Sequence, residues 1–142
     1  LHLSLRRQRQ MCIRDSIGLD TDARTIPNEI GLYATHLDKG CYRGQETVAR
    51  VHNLGRPPRR LTMLMLDGSD AELPDPGASV ILEGRKVGQL GGVAMHHELG
   101  PVGLALLKRN VSVDAVPTVD GVAASQTILV DPEVGLHVRP QL

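Results

Sequence analysis

The sequence predicts a mainly β fold with short helices, and three observations support this class. From residue 61 onward, about six short apolar runs are separated by turns at regular spacing, which is typical of a small barrel or sandwich. Before residue 57, helix start and stop signals replace the strand pattern. The 142 residues suffice for one domain, and because only two are aromatic, its core has to be aliphatic. A generic all-β module without a functional site fits the same pattern.

The segment before the strands contains two helix signals. Residues 17–38 are predicted to form a loop and a short helix that begins at Pro27. Three residues of this helix region would pack inward: Ile30, Leu32 and Tyr33. A second helix of two to three turns is predicted from Gln45 through His52, and Gly55 is placed to end it in a left-handed conformation.

The clearest boundary in the chain is Arg56-Pro57-Pro58-Arg59-Arg60. Its two prolines block helix continuation and impose an extended path. The strands predicted beyond it are residues 61–66, 78–82, 87–95, 102–107 and 127–130, with a hairpin loop at 83–86. Gly91 and Gly92 lie next to each other inside a strand pattern, which predicts a bulge or bend there.

Charge and cysteine content limit the classes of function. Four arginines and one aspartate give residues 1–16 a charge of +3, and the 12 basic and 15 acidic residues that remain give −3. An acidic folded part does not favour nonspecific nucleic-acid binding. Cys12 and Cys41 form no disulfide pattern, and no apolar run approaches the ~20 residues of a membrane helix. We therefore expect a cytoplasmic protein without direct nucleic-acid or membrane contacts.

Residues 1–16, LHLSLRRQRQMCIRDS, differ in character from the rest of the chain. They resemble translated sequencing-adapter text joined to a genuine reading frame near Ile17. A signal peptide is a poor fit because no continuous apolar region follows the basic one. A basic nucleic-acid arm is the formal alternative. We interpret the segment as non-native, which leaves Cys12 without a biological role.

The strongest functional signal lies in eight consecutive residues: Lys39, Gly40, Cys41, Tyr42, Arg43, Gly44, Gln45 and Glu46. A cationic residue lies two positions from Cys41 on each side, and a helix-compatible run follows at once. Cations and the positive end of a helix favour the thiolate, which is the nucleophilic and redox-active form of cysteine. Gly40 and Gly44 permit a sharp turn that presents the thiol. The alternative is a buried cysteine that packs as a small apolar residue.

This eight-residue signature resembles that of the YgfZ family. These are folate-binding proteins similar in fold to the T protein, the aminomethyltransferase of the glycine cleavage system. Residues 22–31 resemble the family's segment just upstream, and residues 48–55 resemble the segment that leads out of the signature. The likeness extends from residue 17 to about residue 135.

The resemblance implies a domain organisation and a function. Residues 17–56 would end a T-protein-like α+β folate-binding domain, residues 57–135 would form a small carboxy-terminal β-barrel, and residues 136–142 would be a tail. Tetrahydrofolate or a derivative is the implied cofactor, and iron–sulfur proteins or their assembly machinery are the implied partners. The implied function is support of iron–sulfur protein assembly or repair and, through it, of tRNA modification.

The main folate site is expected upstream of these residues. In the family, an Arg-x-Glu-x-Gly element precedes the segment near Asp20, and the chain does not contain that element. The chain therefore resembles the carboxy-terminal part of a longer protein. By the same resemblance, Cys41 is the reactive thiol, Lys39 and Arg43 promote its ionisation, and Gln45 and Glu46 begin the helix and fix the loop.

Two other functions stay open at this point. One is a true aminomethyltransferase of glycine cleavage, although the cysteine in the signature resembles YgfZ rather than the T protein. The other is a noncatalytic module, in which the barrel docks a partner and Cys41 is inert.

Further candidate groups are weaker. Six cationic residues face a single acid, Glu46, within residues 39–60: Lys39, Arg43, Arg50, Arg56, Arg59 and Arg60. They could hold a phosphate, a polyglutamate tail or tRNA, or form a solvated helix face and linker. Three acidic residues near the signature are expected to be unpaired, and the resemblance assigns a catalytic role to none of them: Asp20, Asp22 and Asp38.

No metal site is expected from the histidines. Adjacent strand residues point to opposite faces, so His96 and His97 would not converge on one ion, and a surface loop is predicted there. Cys41, His36 and His52 match no zinc-ligand spacing.

Overall fold

The computed structural model of the protein describes residues 18–32, 37, 39–68 and 73–133. Several expectations fall on residues outside these ranges: the segments 1–16 and 136–142, together with Tyr33, His36 and Asp38. The described part begins with two short helices and continues into a β-barrel.

The first helix is a single 3-10 turn, Pro27–Ile30, which confirms the predicted start at Pro27. Its buried residue is Glu29, and Ile26, the extended residue that precedes the helix, is buried as well. The expectation that Leu32 packs inward is wrong, because this side chain is 57% exposed. Gly31 explains the difference, since its left-handed conformation (φ 77°) turns the chain before Leu32.

The second helix, α1, is Gln45–Leu54, and it lies between two glycines in left-handed conformations. Gly44 (φ 83°) precedes it, and Gly55 (φ 71°) ends it by donating its N–H to the His52 carbonyl. The predicted helix and its glycine stop are thereby confirmed. Neither glycine position tolerates an ordinary side chain without strain.

The described strands close into an antiparallel barrel: Arg59–Leu66 (β1), Ser79–Leu82 (β2), Arg85–His96 (β3), Gly100–Lys108 (β4), Thr118–Val119 (β5) and Val122–Ile128 (β6). The spatial order is β1-β4-β3-β2-β5-β6, and β6 pairs back onto β1. Leu64 of β1, for example, lies opposite Gly103 of β4 and Gln126 of β6. The mainly β class and the barrel are therefore confirmed, and the folate-binding domain before it stays a prediction.

Two tight hairpins connect neighbouring strands. Glu83 (φ 51°) and Gly84 (φ 73°) join β2 to β3, and Asp120 (φ 50°) and Gly121 (φ 87°) join β5 to β6. Positive φ at both central residues matches the right-handed twist of paired strands. The predicted loop at 83–86 is thus shorter than expected, because Arg85 and Lys86 already belong to β3.

The barrel interior is aliphatic, as the sparse aromatics predict. On β1 every second residue is buried, from Arg60 to Leu66. The buried core residues are Leu64, Leu66, Val80, Val87, Leu90, Ala105, Leu107, Val111, Val119 and Ala124. Removing such side chains from water provides the main stabilising contribution to a domain of this size.

Two strand predictions need correction. β1 begins at Arg59 rather than Leu61, so the arginines assigned to the linker belong to the sheet. The last strand is Val122–Ile128, not 127–130. The prediction missed the start of this strand because alanine, serine and glutamine do not stand out as strand formers. It extended the strand too far because Val130 is apolar and buried although it lies beyond the strand.

Candidate functional site

The signature loop enters α1 and carries an exposed cysteine, Cys41. The side chain of Gln45 closes the loop, because its Oε1 accepts the backbone N–H of Tyr42 at 3.1 Å. The Lys39 ammonium lies 4.6 Å from the centroid of the Tyr42 ring, within the range of a cation–π contact. The exposed thiol excludes the alternative of a buried packing cysteine.

A cleft of about 730 Å³ lies between this loop and the segment before it. It is lined by residues 23–27, by Lys39, and by residues of the loop and first turns of α1, including Tyr42 and Thr47. Cys41 lies in the chain between two lining residues, Lys39 and Tyr42. The cleft therefore borders the loop that presents the thiol.

The charged residues that line this cleft are all cationic. The described residues that line it include Arg24, Lys39 and Arg43, and none of them is acidic. All three cationic residues are exposed, and no carboxylate of the described residues forms an ion pair with them. We call this feature, defined by these three residues, the cationic cleft.

Arg59, at the start of β1, is held by two carboxylates. Its guanidinium donates to Asp22 at 2.7 Å and to Glu29 at 2.9 Å, and further bonds make both contacts bidentate. The hydrogen bond from Arg59, strengthened by its charge, holds the pKa of Asp22 well below its usual range. The same two carboxylates raise the pKa of Arg59. Asp22 was expected to be unpaired, and this network corrects that expectation.

The Arg59 network also fixes one wall of the cationic cleft. Asp22 and Glu29 contact Arg59 and bracket the lining residues 23–27, and Thr25 within that range also contacts Arg59. Because β1 is a barrel strand, this wall is tied directly to the barrel.

Arg60 lies inside the barrel and is only 1% exposed. Its guanidinium donates to Thr62, to the Val111 carbonyl at 3.0 Å and to Gln126. Burial lowers the pKa of Arg60, and the nearby charge of Arg109 lowers it further. Within the described part of the chain its Nε has no hydrogen-bond partner. The predicted patch of six cations is therefore wrong in composition, because Arg59 and Arg60 serve the fold.

Asp20 joins the first segment to the barrel at the glycine pair of β3. It is 8% exposed, and its carboxylate accepts the backbone N–H of Gly92. A Cβ at Gly91 would lie 2.7 Å from the Asp20 Cα, so only glycine fits there. The strand register shifts between Leu90 and Val93, which confirms the predicted bulge. Asp20 is thus a second acid that was wrongly expected to be unpaired.

The histidine pair lies at the tip of the β3–β4 hairpin, where a surface loop was predicted. The His96 Nδ1 accepts the backbone N–H groups of Glu98 and Leu99, each at 3.2 Å, and so closes the turn. His97 is exposed beside it. Across the described ranges, no three metal-ligating side chains gather into a possible site.

Sequence reasoning missed Arg24 as a site residue. Its only signal was its place in residues 22–31, the segment that resembles the family's upstream flank. Local spacing could not indicate that Arg24 shares a cleft with Arg43, because the two lie 19 positions apart, on different walls of the cleft.

No helix among the described residues is long and apolar enough to cross a membrane.

Comparison with known proteins gives one partial relative. No protein family model matches the chain. A chloroplastic protein of Arabidopsis thaliana that is named as a transferase is 40% identical over 63 residues. The match covers 44% of this chain and 14% of that protein, so the chain spans a small part of the relative's length. A likeness to a transferase-named protein is therefore shown, and a family assignment is not.

Proposed function

We propose that this chain belongs to a YgfZ-like accessory protein that depends on folate and supports the assembly or repair of iron–sulfur proteins and, through them, tRNA modification. The observation that carries the proposal is the exposed Cys41 in a loop closed by Gln45 and followed by α1. The barrel is compatible with the carboxy-terminal barrel of that family, and the partial match to a transferase-named protein supports a transferase-like origin.

In this proposal the signature loop presents a reactive thiol. Cys41 is open to solvent and to a partner protein, and Lys39 and Arg43 flank it in the chain. Cationic neighbours attract anionic reactants. Gly44 and Gln45 keep the loop in shape, the first by its left-handed backbone and the second by its bond to Tyr42.

The described residues do not fit a pterin site. Such a site needs a carboxylate that is free to bond the ring, and the two buried carboxylates, Asp20 and Glu29, are engaged by Gly92 and Arg59. Tetrahydrofolate or a derivative enters the proposal by resemblance alone, and no chemical step is assigned to it here. Folate and iron–sulfur proteins are the proposed partners.

The test is complementation of a strain that lacks its own YgfZ-like protein. The readout is the level of a tRNA modification made by an iron–sulfur enzyme. We expect Cys41→Ser to lose most of the rescue and Cys12→Ser, the matched control, to keep it. Full rescue by Cys41→Ser would contradict the proposal and favour a noncatalytic barrel that docks a partner.

A second candidate is an aminomethyltransferase of glycine cleavage, and the name of the relative supports it only as far as the general class of transferases. It predicts tetrahydrofolate-dependent release of ammonia from an aminomethylated carrier protein. Release that requires both the chain and tetrahydrofolate would support this enzyme over the accessory protein.

A further inference from the structure

We propose that the cationic cleft binds a small oxyanion with two or more negative charges, such as a phosphate ester or paired carboxylates. This inference is independent of the proposed function, because it needs neither folate nor the thiol. It rests on the sign of the charge in the cleft, on the absence of acidic residues among its described lining, and on the hydrogen bonds that hold the shape of each wall.

The charge is the first step. Arg24, Lys39 and Arg43 line one cleft that has no acid among its described lining residues, so no carboxylate of that lining offsets their positive charge. Arg59, by contrast, has carboxylate oxygens at 2.7 and 2.9 Å. An anion in the cleft would supply the missing compensation.

The dimensions are the second step. A cleft of about 730 Å³ is within the range of small-molecule sites in proteins. Two guanidinium groups offer paired N–H donors that match the oxygens of phosphate or carboxylate, and the lysine adds a point charge. Gly44 and Thr47 from the start of α1 also line the cleft, and the helix dipole there has the same sign.

Preorganisation is the third step. Arg59 holds residues 22–29 through Asp22 and Glu29, and this fixes the wall that carries Arg24. Gln45 holds the backbone of the loop that carries Arg43. Each set of bonds fixes the internal shape of its own wall, and a wall of fixed internal shape loses less conformational entropy on binding than a loop that binding has to order.

The experiment is isothermal titration of the full chain with pyrophosphate and, separately, with triglutamate, at low ionic strength. We expect saturable one-to-one binding, weakened about tenfold by Arg24→Gln and by Arg43→Gln because each removes charged hydrogen bonds. Arg50→Gln is the matched control, since Arg50 is an exposed cation of α1 that does not line the cleft. Binding of pyrophosphate alone would assign a phosphate ligand, and binding of triglutamate alone a carboxylate ligand.

A second measurement does not depend on any variant. Amide chemical shifts of the unmodified chain should move on titration at Gly44 and Thr47, and stay constant at Val116 in a distant loop of the barrel. Absence of saturable binding of both probes would overturn the proposal. Equal weakening by Arg50→Gln, or shifts spread evenly over the chain, would also overturn it, because either result indicates nonspecific attraction.

Discussion

Arg59 and Arg43 are both arginines close to residues 22–29, yet their surroundings differ. Arg59 has carboxylates of Asp22 and Glu29 within 3 Å, whereas Arg43 has no ion pair among the described residues and lines an open cleft. The first belongs to what we call the docking region, defined by Asp20, Asp22, Glu29, Arg59 and Gly91. The second belongs to the cationic cleft.

The difference separates charges that hold the fold together from charges that are open to solvent. In the docking region every charge has a partner, and the contacts join the first segment to the barrel. In the cationic cleft the exposed charges form no ion pair with a carboxylate of the described residues, so changing them should have little effect on stability. Substitutions should therefore affect stability in the docking region, and ligand binding or thiol chemistry in the cleft.

The largest effect on stability is expected from Arg59→Gln. This change leaves the Glu29 carboxylate, which is 0% exposed, without its charged partner, and removing one member of a buried pair costs about 3 kcal/mol. Urea unfolding measures the change in the free energy of unfolding. Arg43→Gln, the matched control, should change it by less than ~0.5 kcal/mol because that side chain is exposed. Equal effects of the two substitutions would abolish the distinction between the regions.

The next largest loss of stability is expected from Gly91→Ala in β3. Gly91→Ala places a Cβ 2.7 Å from the Asp20 Cα, and relieving such an overlap costs about 2 kcal/mol. Gly40→Ala is the control, because nothing lies within 4 Å of the Cβ position in the signature loop. Thermal unfolding should separate the two variants clearly. A Gly91→Ala chain as stable as the original would mean that the first segment does not dock against β3 as described.

The smallest effect concerns pH. The pKa of Asp22 is lower in the folded chain than in the unfolded chain, so its ionised form stabilises the fold above the unfolded pKa. This contribution is present above about pH 4 and is lost as pH falls through the folded pKa. Asp22 is half exposed, which limits its contribution to under about 1 kcal/mol.

The measurement compares the free energy of unfolding at pH 6 and at pH 3. Asp22→Asn should be less stable than the original chain at pH 6, and the difference should shrink at pH 3. Asp75→Asn, at an exposed carboxylate outside the docking region, is the control. A difference that grows toward low pH would have the wrong sign for this network.

Local sequence patterns predicted the positions of helices and bulges better than the long-range contacts that these elements make. Gly55 as the end of α1 and the bulge at Gly91 and Gly92 follow from backbone rules that act over a few residues. That the bulge receives Asp20 depends on a contact over 72 residue positions, which no local pattern reveals.

The arginines at 59 and 60 show a signal that was available but not used. Strand alternation in β1 places residues 60, 62, 64 and 66 on the inner face, and extending it backward from Leu64 would have put Arg60 inside. Composition alone favoured a solvated linker, because arginine is rarely fully buried. The hydrogen bonds of Arg60 to Val111 and Gln126 make its burial tolerable.

Of the candidate site, the sequence indicated the signature loop and the helix that follows it. The signature from Lys39 to Glu46 and the helix behind it follow directly from sequence, and the structure adds that Cys41 is exposed. The second wall of the cleft, with Arg24, depends on the long-range Arg59 contacts and could not be predicted.

The most direct test of the account is the alkylation rate of Cys41 near neutral pH, followed by mass spectrometry of its peptide so that Cys12 does not interfere. With an anionic reagent such as iodoacetate, we predict a rate at least about threefold that of a free cysteine, because Cys41 is exposed and the flanking Lys39 and Arg43 attract the reagent. Lys39→Ala combined with Arg43→Ala should slow it, and Arg50→Ala should not. A Cys41 that reacts no faster than a free cysteine would contradict the claim that the signature loop is a site for thiol chemistry.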